Sequence, residues 1–466
     1  MGEGYNMKIV VLNGSPKGEA SITIQYVHFI AKHFPQHEYS FINIASDIKQ
    51  IEINEDKFLG LIDKISRADF IFWAFPVYFY FVSAQYKRFI ELIFEKKATS
   101  AFRDKYTAII TTSIHVLDHA AVNYMNSICD DLNMKYTGAY TAFMMYDLLT
   151  GKERERLIKF ADDVFTTAGS LSVTNRKFSP LVGISFKYKP GKPESKITTA
   201  GKRILIITDN DDEQTNLWAM TARFAEAFVD NIEVVNLRNV DIKGGCLGCL
   251  NCCYDNTCVY EGRDGYIEFF NTKVKSADIL VFAGAIKDRY LSSLMKCYFD
   301  RSFFNGLISP IKGKQLGFII SGPLRQIPNL RQGLEALIEV QQANVVDIIT
   351  EEAEDSDAID KGLQSMAVRL IRLAKAEYVR PGTFFRQGAR KILRDEAWGN
   401  QRFIHPADHR YYKKHGLYDF PQKQYKTRFR NLVMMTLMKI PAFRKEVYKR
   451  LKAEMIKPLK NVVQTK

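Results

Sequence analysis

The sequence has 466 residues, more than one hydrophobic core usually organises, so two or three domains are expected. Its composition, 46% hydrophobic and 25% charged, is ordinary for a globular protein, and no apolar run is long enough to span a bilayer. The N-terminus lacks the pattern of a signal peptide. These features argue against an integral membrane or secreted protein, and we expect a cytoplasmic location.

Charge and cysteine are distributed unevenly. The formal net charge is +14, but residues 380–466 alone carry 22 Lys and Arg against 6 Asp and Glu, a net of +16, which leaves −2 for the rest. The basic character therefore belongs to a C-terminal extension, in which we predict helices at about 427–438 and 442–456. Five of the seven cysteines lie between Cys246 and Cys258. In a reducing compartment such a cluster indicates metal or redox chemistry before disulfides.

A repeated pattern organises the body of the chain. The apolar run at 8–12 ends in a Gly-rich turn and recurs 195 residues later, whereas the run at 70–74 recurs 209 residues later. The offset of 209 also aligns Lys87 with Lys296. Compared with the first half, the second half thus has an insertion of 14 residues between its first and third strands, and the cysteine cluster lies in that region.

Strands that alternate with amphipathic stretches, as at 21–34 and 83–94, predict parallel sheets covered by helices on both faces. The sequence therefore predicts an α/β protein with two doubly wound parallel sheets in tandem and a basic α-helical C-terminal extension. The expected segments are a first domain at 1–168, a linker at 169–201, a second domain with the cysteine-rich insertion at 202–378, and the extension at 379–466.

Ligands of a doubly wound sheet bind outside the C-terminal ends of its strands. In the first half, the segment 13–23 lies between the first strand and a helix. Its hydroxyls, one ammonium group and the N–H groups of the helix N-terminus can together hold a phosphate. The residues concerned are Ser15, Lys17, Ser21 and Thr23.

Two further segments of the first half should reach the same edge. The segment after the third strand carries Pro76, Val77, Tyr78 and Phe79, whose flat and apolar side chains suit a planar ring with an anionic tail. The alternative is a cluster of core aromatics. The segment 111–115 ends the next strand, and its Ser113 could face the polar edge of such a ring. His115 follows it, either in the site or as an ordinary histidine whose hydrogen bonds are satisfied within the protein.

The combination of these motifs resembles a known family. Gly14-Ser15-Pro16-Lys17 with Ser21 and Thr23, then Pro76-Val77-Tyr78 and Ala84-Gln85-x-Lys87-x-Phe89, is similar to the NAD(P)H-dependent FMN reductases and quinone reductases, which are flavodoxin-like. The resemblance covers 7–165 and, more loosely, 202–375. It implies that the first loop binds the FMN phosphate and that the Pro-x-Tyr loop contacts the isoalloxazine ring.

The corresponding loops of the second half differ chemically. The first loop carries four acids, Asp209, Asp211, Asp212 and Glu213, which would repel a phosphate. Ala285-Ile286-Lys287 stands where the first half has Pro76-Val77-Tyr78. We therefore expect no flavin in the second half.

The second half instead has the motif Cys246-x2-Cys249-x2-Cys252-x5-Cys258. Four thiolates in one short loop favour zinc or an iron–sulfur centre. The spacing resembles the compact motif of iron–sulfur flavoproteins, a branch of the same family, and that resemblance implies a 4Fe-4S cluster. A zinc-binding or reduced loop is the alternative. Cys129 and Cys297 are predicted to be buried thiols on helices.

The resemblance implies an oxidoreductase that passes electrons from NAD(P)H through FMN, and through a 4Fe-4S cluster, to a quinone or another small-molecule or protein acceptor. We hypothesise a fused pseudo-dimer in which the cysteine loop of the second half faces the FMN of the first. A cysteine loop remote from Tyr78 would rule out direct electron transfer. A homo-oligomer is compatible with this arrangement.

Two other functions remain open at this stage. One is a flavin and iron–sulfur electron carrier without enzyme activity. The other is a zinc-loop protein whose basic extension binds nucleic acid or a membrane surface. The extension lacks a recognised nucleic-acid motif, so nucleic acid is not expected, whereas anionic lipid or the body of the protein would suit its basic helices.

Overall fold

The structure is a computed structural model that describes residues 6–144, 146–193, 195–399, 401–419 and 424–464. The chain divides into two units, Met1–Arg410 and Tyr411–Lys466. Both sheets lie in the first unit. Among the described residues, no helix combines the length and the apolar character needed to cross a bilayer.

The first sheet has five parallel strands in the order β2-β1-β3-β4-β5. Its three central strands are almost entirely buried, as parallel strands covered by helices on both faces require. The strands are β1 (Lys8–Asn13), β2 (Glu38–Asn43), β3 (Phe70–Pro76), β4 (Tyr106–Ser113) and β5 (Lys135–Phe143). The helices are α1 (Ile22–His33), α2 (Ile44–Ile53), α3 (Glu55–Ser66), α4 (Ala84–Glu95), α5 (Asp118–Asp131) and α6 (Gly151–Gly169).

The second sheet has the equivalent order β7-β6-β8-β9-β10, again with parallel strands. The strands are β6 (Ile204–Thr208), β7 (Glu233–Asn236), β8 (Ile279–Ala285), β9 (Gln315–Ser321) and β10 (Asn344–Thr350). The helices are α7 (Asn216–Glu226), α8 (Cys252–Asp255), α9 (Tyr266–Phe269), α10 (Ser293–Arg301), α11 (Pro328–Val340) and α12 (Ser356–Lys375).

Four helices follow the second sheet. They are α13 (Phe384–Trp398), α14 (Pro406–Lys414), α15 (Tyr425–Leu437) and α16 (Pro441–Gln464). The last two agree with the helices predicted at 427–438 and 442–456. Cys129 on α5 and Cys297 on α10 are buried, as predicted.

The strand order of both sheets is the flavodoxin-like order, so the predicted fold class is confirmed. The two sheet regions share one buried apolar cluster. Within it, the ring of Phe81 from the first region lies 4.6 Å from the ring of Tyr290 from the second. Helices α4 and α10 pack against each other at this junction. The carboxyl end of the first sheet is therefore covered in part by the second half.

Candidate functional site

The loop between β1 and α1 is held by its own polar groups. Asn13 Nδ2 donates to the carbonyl oxygen of Gly18 at 2.9 Å, and Asn13 Oδ1 accepts from the Ser15 amide at 3.1 Å. Gly14 passes so close to α4 that a Cβ there would lie 2.6 Å from the ring of Tyr86. The backbone is thus fixed before any ligand binds, which lowers the entropy lost on binding.

Ser21 is the N-cap residue of α1, and its side chain is buried. An N-cap serine usually accepts a hydrogen bond from the first turn of its helix. Ser21 makes no such bond, and its Oγ has no hydrogen-bond partner among the described residues. An unpartnered buried hydroxyl at a helix N-terminus fits an anion, because the helix end already presents free N–H groups and a positive dipole.

The other predicted phosphate residues lie around this helix end. Ser15 is buried, and its Oγ accepts from the Lys17 amide at 3.3 Å. The Lys17 side chain is exposed. Thr23 is turned to the end of β4, with its Oγ1 2.6 Å from Thr112 Oγ1. The structure thus brings the predicted phosphate segment, 13–23, into contact with the segment 111–115.

The segment after β3 forms a tight turn. Tyr78 and Phe81 exchange backbone hydrogen bonds of 2.8 and 3.0 Å, and the amide of Val77 donates to Thr112 at 3.0 Å. Phe79 and Tyr80 have backbone φ values of +38° and +70°, which residues other than glycine rarely adopt. Backbone strain of this kind concentrates at functional loops. Tyr78 and Phe79 of the predicted ring-binding residues therefore lie on a strained turn. Pro76 ends β3, and Val77 joins it to that turn beside the end of β4.

The end of β4 carries a histidine and carboxylate pair. Ser113 Oγ accepts from the His115 amide at 2.8 Å, and His115 Nδ1 lies 2.7 Å from Asp118 Oδ2. The hydrogen bond that the His115 ring donates to Asp118 raises the pKa of His115 above its usual value. His115 is exposed at the rim, with 44% of its side chain accessible.

The cysteine loop, residues 243–258, lies against the first half. Gln85 Nε2 donates to the carbonyl oxygen of Cys246 at 3.0 Å, and Lys49 Nζ donates to the carbonyl oxygen of Lys243. Gly248 has a φ of +61°, and a Cβ there would overlap Tyr78 Oη and lie 3.2 Å from Lys17 Cε. The loop therefore contacts both the phosphate segment and the ring segment of the first half.

The cysteines of this loop differ in exposure. Cys249 is exposed, Cys246 and Cys258 are partly buried, and Cys252 is buried together with its neighbour Cys253. Burial raises the pKa of the Cys246 thiol to about 12. In the part of the chain that the structure describes, no three Cys, His, Asp or Glu side chains are arranged so that they could hold a metal ion.

In the second half, protein groups satisfy the loop that corresponds to the phosphate segment. Thr215, the N-cap residue of α7, accepts from the Trp218 amide at 3.2 Å, so this cap is closed where that of α1 is open. Arg238 Nε donates to the carbonyl oxygen of Asp209 at 2.8 Å. Asn210 Nδ2 donates to Thr215 Oγ1 at 2.9 Å. The Ser21 hydroxyl in the β1–α1 loop is thus available for an anion, whereas the equivalent Thr215 hydroxyl in the second half is already hydrogen-bonded.

Residues 7–146 match the family model of the NADPH-dependent FMN reductases. The first sheet domain belongs to this family. Its enzyme class is that of the NAD(P)H-dependent FMN oxidoreductases, and the matched range includes both loops of the candidate site. The cysteine loop lies outside that range. Among curated proteins, none matches the sequence.

Solved structures with a similar fold include three oxidoreductases. An apo NADH:FMN oxidoreductase is 15% identical, covers 35% of this chain and 90% of its own, and has a TM-score of 0.30. The NAD(P)H:quinone oxidoreductase of Methanothermobacter marburgensis is 12% identical, with 36% and 98% coverage and a TM-score of 0.28. The flavoenzyme NAD(P)H:(acceptor) oxidoreductase FerB of Paracoccus denitrificans is 15% identical, with 34% and 98% coverage and a TM-score of 0.26.

Sequence reasoning missed the residues that join the two halves at the site, namely Lys49, Gln85 and Gly248. Lys49 and Gln85 bond to backbone carbonyl oxygens of the cysteine loop, and such contacts leave no signature in a single sequence. Gly248 carried a signal, because a glycine between two motif cysteines indicates a position without room for a side chain.

Proposed function

We propose that the protein is an NAD(P)H-dependent flavin oxidoreductase that holds one FMN at the carboxyl end of the first sheet. When bound there, FMN would supply the hydride and electron transfer between a nicotinamide donor and a quinone or another acceptor. The observation that carries the proposal is the open N-cap of α1, where Ser21 Oγ is buried and has no partner among the described residues.

The chain's own residues divide the binding between two groups. The hydroxyls of Ser15 and Ser21, the ammonium of Lys17 and the N–H groups of α1 hold the phosphate, with Thr23 beside them. The strained turn holds the ring through Pro76, Val77, Tyr78 and Phe79, and Ser113 faces its polar edge. Because the turn and the β1–α1 loop are both fixed by backbone hydrogen bonds, the ring and the phosphate are oriented together.

A 4Fe-4S cluster on Cys246, Cys249, Cys252 and Cys258 forms the second part of the proposal. The donor set fits chemically, because four soft thiolates in one loop suit iron–sulfur ligation. Each thiolate of such a cluster binds a different iron, so the four need not converge on one ion. The contact of Gly248 with Tyr78 supports a position of the loop beside the proposed flavin site. Loading requires the thiols to lose their protons and the loop to adjust.

The test of the phosphate site is Ser21→Ala, with FMN and riboflavin compared as ligands. A hydrogen bond to a charged group contributes about 1.5–3 kcal/mol, so FMN affinity should fall about tenfold or more. Riboflavin affinity should not change, because riboflavin lacks the phosphate. The free variant should be as stable as the native protein, since the substitution removes a buried hydroxyl that has no partner.

Thr215→Ala is the matched control. Its hydroxyl caps α7 in the second half, so the change should lower the stability of the protein by about 1 kcal/mol and leave FMN affinity unchanged. Equal losses of FMN and riboflavin affinity in Ser21→Ala, or no loss of either, would contradict the proposed phosphate site. Ligand affinity is measured by quenching of flavin fluorescence.

A further inference from the structure

A pair of equivalent helices joins the two halves at the site. Lys87 on α4 and Lys296 on α10 are both 1% exposed, and each forms an ion pair with the acid four residues later, Glu91 and Asp300. The offset of 209 residues that aligns the lysines also aligns the acids. Buried ion pairs at equivalent positions of both helices form the centre of a pseudo-twofold interface.

Each acid binds the first turn of the opposite helix. Glu91 Oε1 accepts from the Ser293 amide at 2.6 Å, and Asp300 Oδ2 accepts from the Ala84 amide at 2.8 Å. Ala84 and Ser293 are the first residues of α4 and α10. The second half therefore closes the N-terminus of the helix that follows the ring-binding turn.

The two lysines differ in their second partner. Lys87 Nζ lies 2.8 Å from Asp288 Oδ2, a side chain of the second half. Lys296 Nζ instead donates to the carbonyl oxygen of Tyr78 at 2.9 Å, in the ring-binding turn of the first half. The symmetry is thus broken at the turn where the two halves differ in sequence.

Two further contacts of the turn come from the second half. The ring of Phe303 packs edge-on against Phe79 at 6.2 Å, and Gly248 lies against Tyr78. Phe79 and Tyr80 have positive φ values, so the turn is strained and depends on its surroundings to keep its shape. Lys296 supplies a partly buried, charge-assisted hydrogen bond at the first residue of that turn.

In the second half, the equivalent turn is used to bind the first half. Asp288 pairs with Lys87 and accepts from Tyr124 Oη at 3.2 Å. Arg289 forms a bidentate ion pair with Asp131, in which Nε and Nη2 each lie 2.7 Å from a carboxylate oxygen. Asp288 corresponds to Phe79 and Arg289 to Tyr80, so the two positions that are strained in the first half serve as an interface in the second.

We propose that Lys296 is a positioning residue for flavin binding: the second half acts as a built-in partner whose α10 fixes the Pro-x-Tyr turn of the first. This inference rests on the proposed function. Lys296 acts through the Tyr78 carbonyl, so its loss should disturb the contact with the ring and leave the phosphate site intact. It should therefore weaken FMN and riboflavin equally, unlike the loss of Ser21.

The experiment compares Lys296→Met with Lys87→Met. Both remove one buried ammonium group from equivalent helices, so both should lower the melting temperature. Only Lys296→Met should weaken FMN and riboflavin, by about tenfold each, with a shift of the bound flavin's absorption band. Lys87→Met should leave both dissociation constants within about threefold of native.

Combined variants separate a positioning role from a general loss of folding. Lys296→Met with Asp300→Asn, and Lys87→Met with both Glu91→Gln and Asp288→Asn, remove the ion pairs of each lysine without leaving its acids charged. Both combinations keep an oxygen for the opposite helix. The flavin defect should persist in the first and be absent from the second. Equal flavin affinities in Lys296→Met and Lys87→Met would overturn the inference. Equal affinities in the two combined variants would overturn it as well. A native protein that binds no FMN would instead overturn the proposed function.

Discussion

Gly248 is the position where the cysteine loop touches the flavin site, and Gly248→Ala tests that contact. Its φ of +61° lies in the left-handed region, which costs a residue with a Cβ about 1–2 kcal/mol. The new Cβ would also overlap Tyr78 Oη. Crowding of this kind adds about 1–3 kcal/mol in a packed site. The docked loop should therefore lose at least about 2 kcal/mol relative to an undocked loop.

Gly262→Ala is the matched control, because it separates strain from crowding. Gly262 has a φ of +70°, but among the described residues no atom lies within 4 Å of its hypothetical Cβ. It should carry the backbone strain alone. The crowding at Gly248 should then make the undocked loop about fivefold or more commoner in Gly248→Ala than in Gly262→Ala.

The assay is alkylation of Cys246 in metal-free protein, followed by peptide mass spectrometry. Burial raises the pKa of this thiol to about 12, so it reacts slowly while the loop is docked. On undocking, the pKa should return towards about 8.5 and the thiol should react faster. Equal rates of Cys246 alkylation in the two variants would refute the contact between Gly248 and Tyr78.

Two further predictions concern the rim of the site and the cysteine loop. Asp118→Asn should lower the pKa of His115 towards about 6.5, which an NMR titration measures. Because the pKa of His115 is higher in the folded than in the unfolded protein, its pairing with Asp118 stabilises the fold fully below the unfolded pKa. This stabilisation is lost as the pH rises through the folded pKa. A His115 pKa that is unchanged in Asp118→Asn would contradict the pairing. Anaerobic reconstitution with iron and sulfide should give four irons per chain, the number in one 4Fe-4S cluster, and Cys252→Ser should lower that content; retention of zinc alone would favour the zinc loop.

The fold could be predicted because its signals are local. Short apolar runs such as 8–12 and 70–74 become buried parallel strands, and the serine at the start of each amphipathic stretch becomes the N-cap of a helix, as at Ser21 and Ser83. The offset of 209 residues between the halves also anticipated equivalent positions for Lys87 and Lys296 on α4 and α10.

The joining of the halves could not be predicted, because it depends on which groups meet in space. The motif named Ser21 as a phosphate residue, but only the three-dimensional arrangement shows that its hydroxyl is buried and unpartnered among the described residues, whereas Thr215 is engaged. The acids Glu91 and Asp300 recur at the same offset as the lysines, a signal that was available and overlooked. The partner of Lys296 is a backbone carbonyl oxygen, and its position follows from packing alone.

We propose that FMN binds at the first sheet and not at the second, and the ratio of bound FMN to chain tests this most directly. Purified protein is incubated with excess FMN, separated from free flavin by gel filtration, and measured by its visible absorbance and protein content. One FMN per chain is the predicted result. A colourless protein would contradict the site at Ser21 and Tyr78, and two FMN per chain would contradict the closed cleft of the second half.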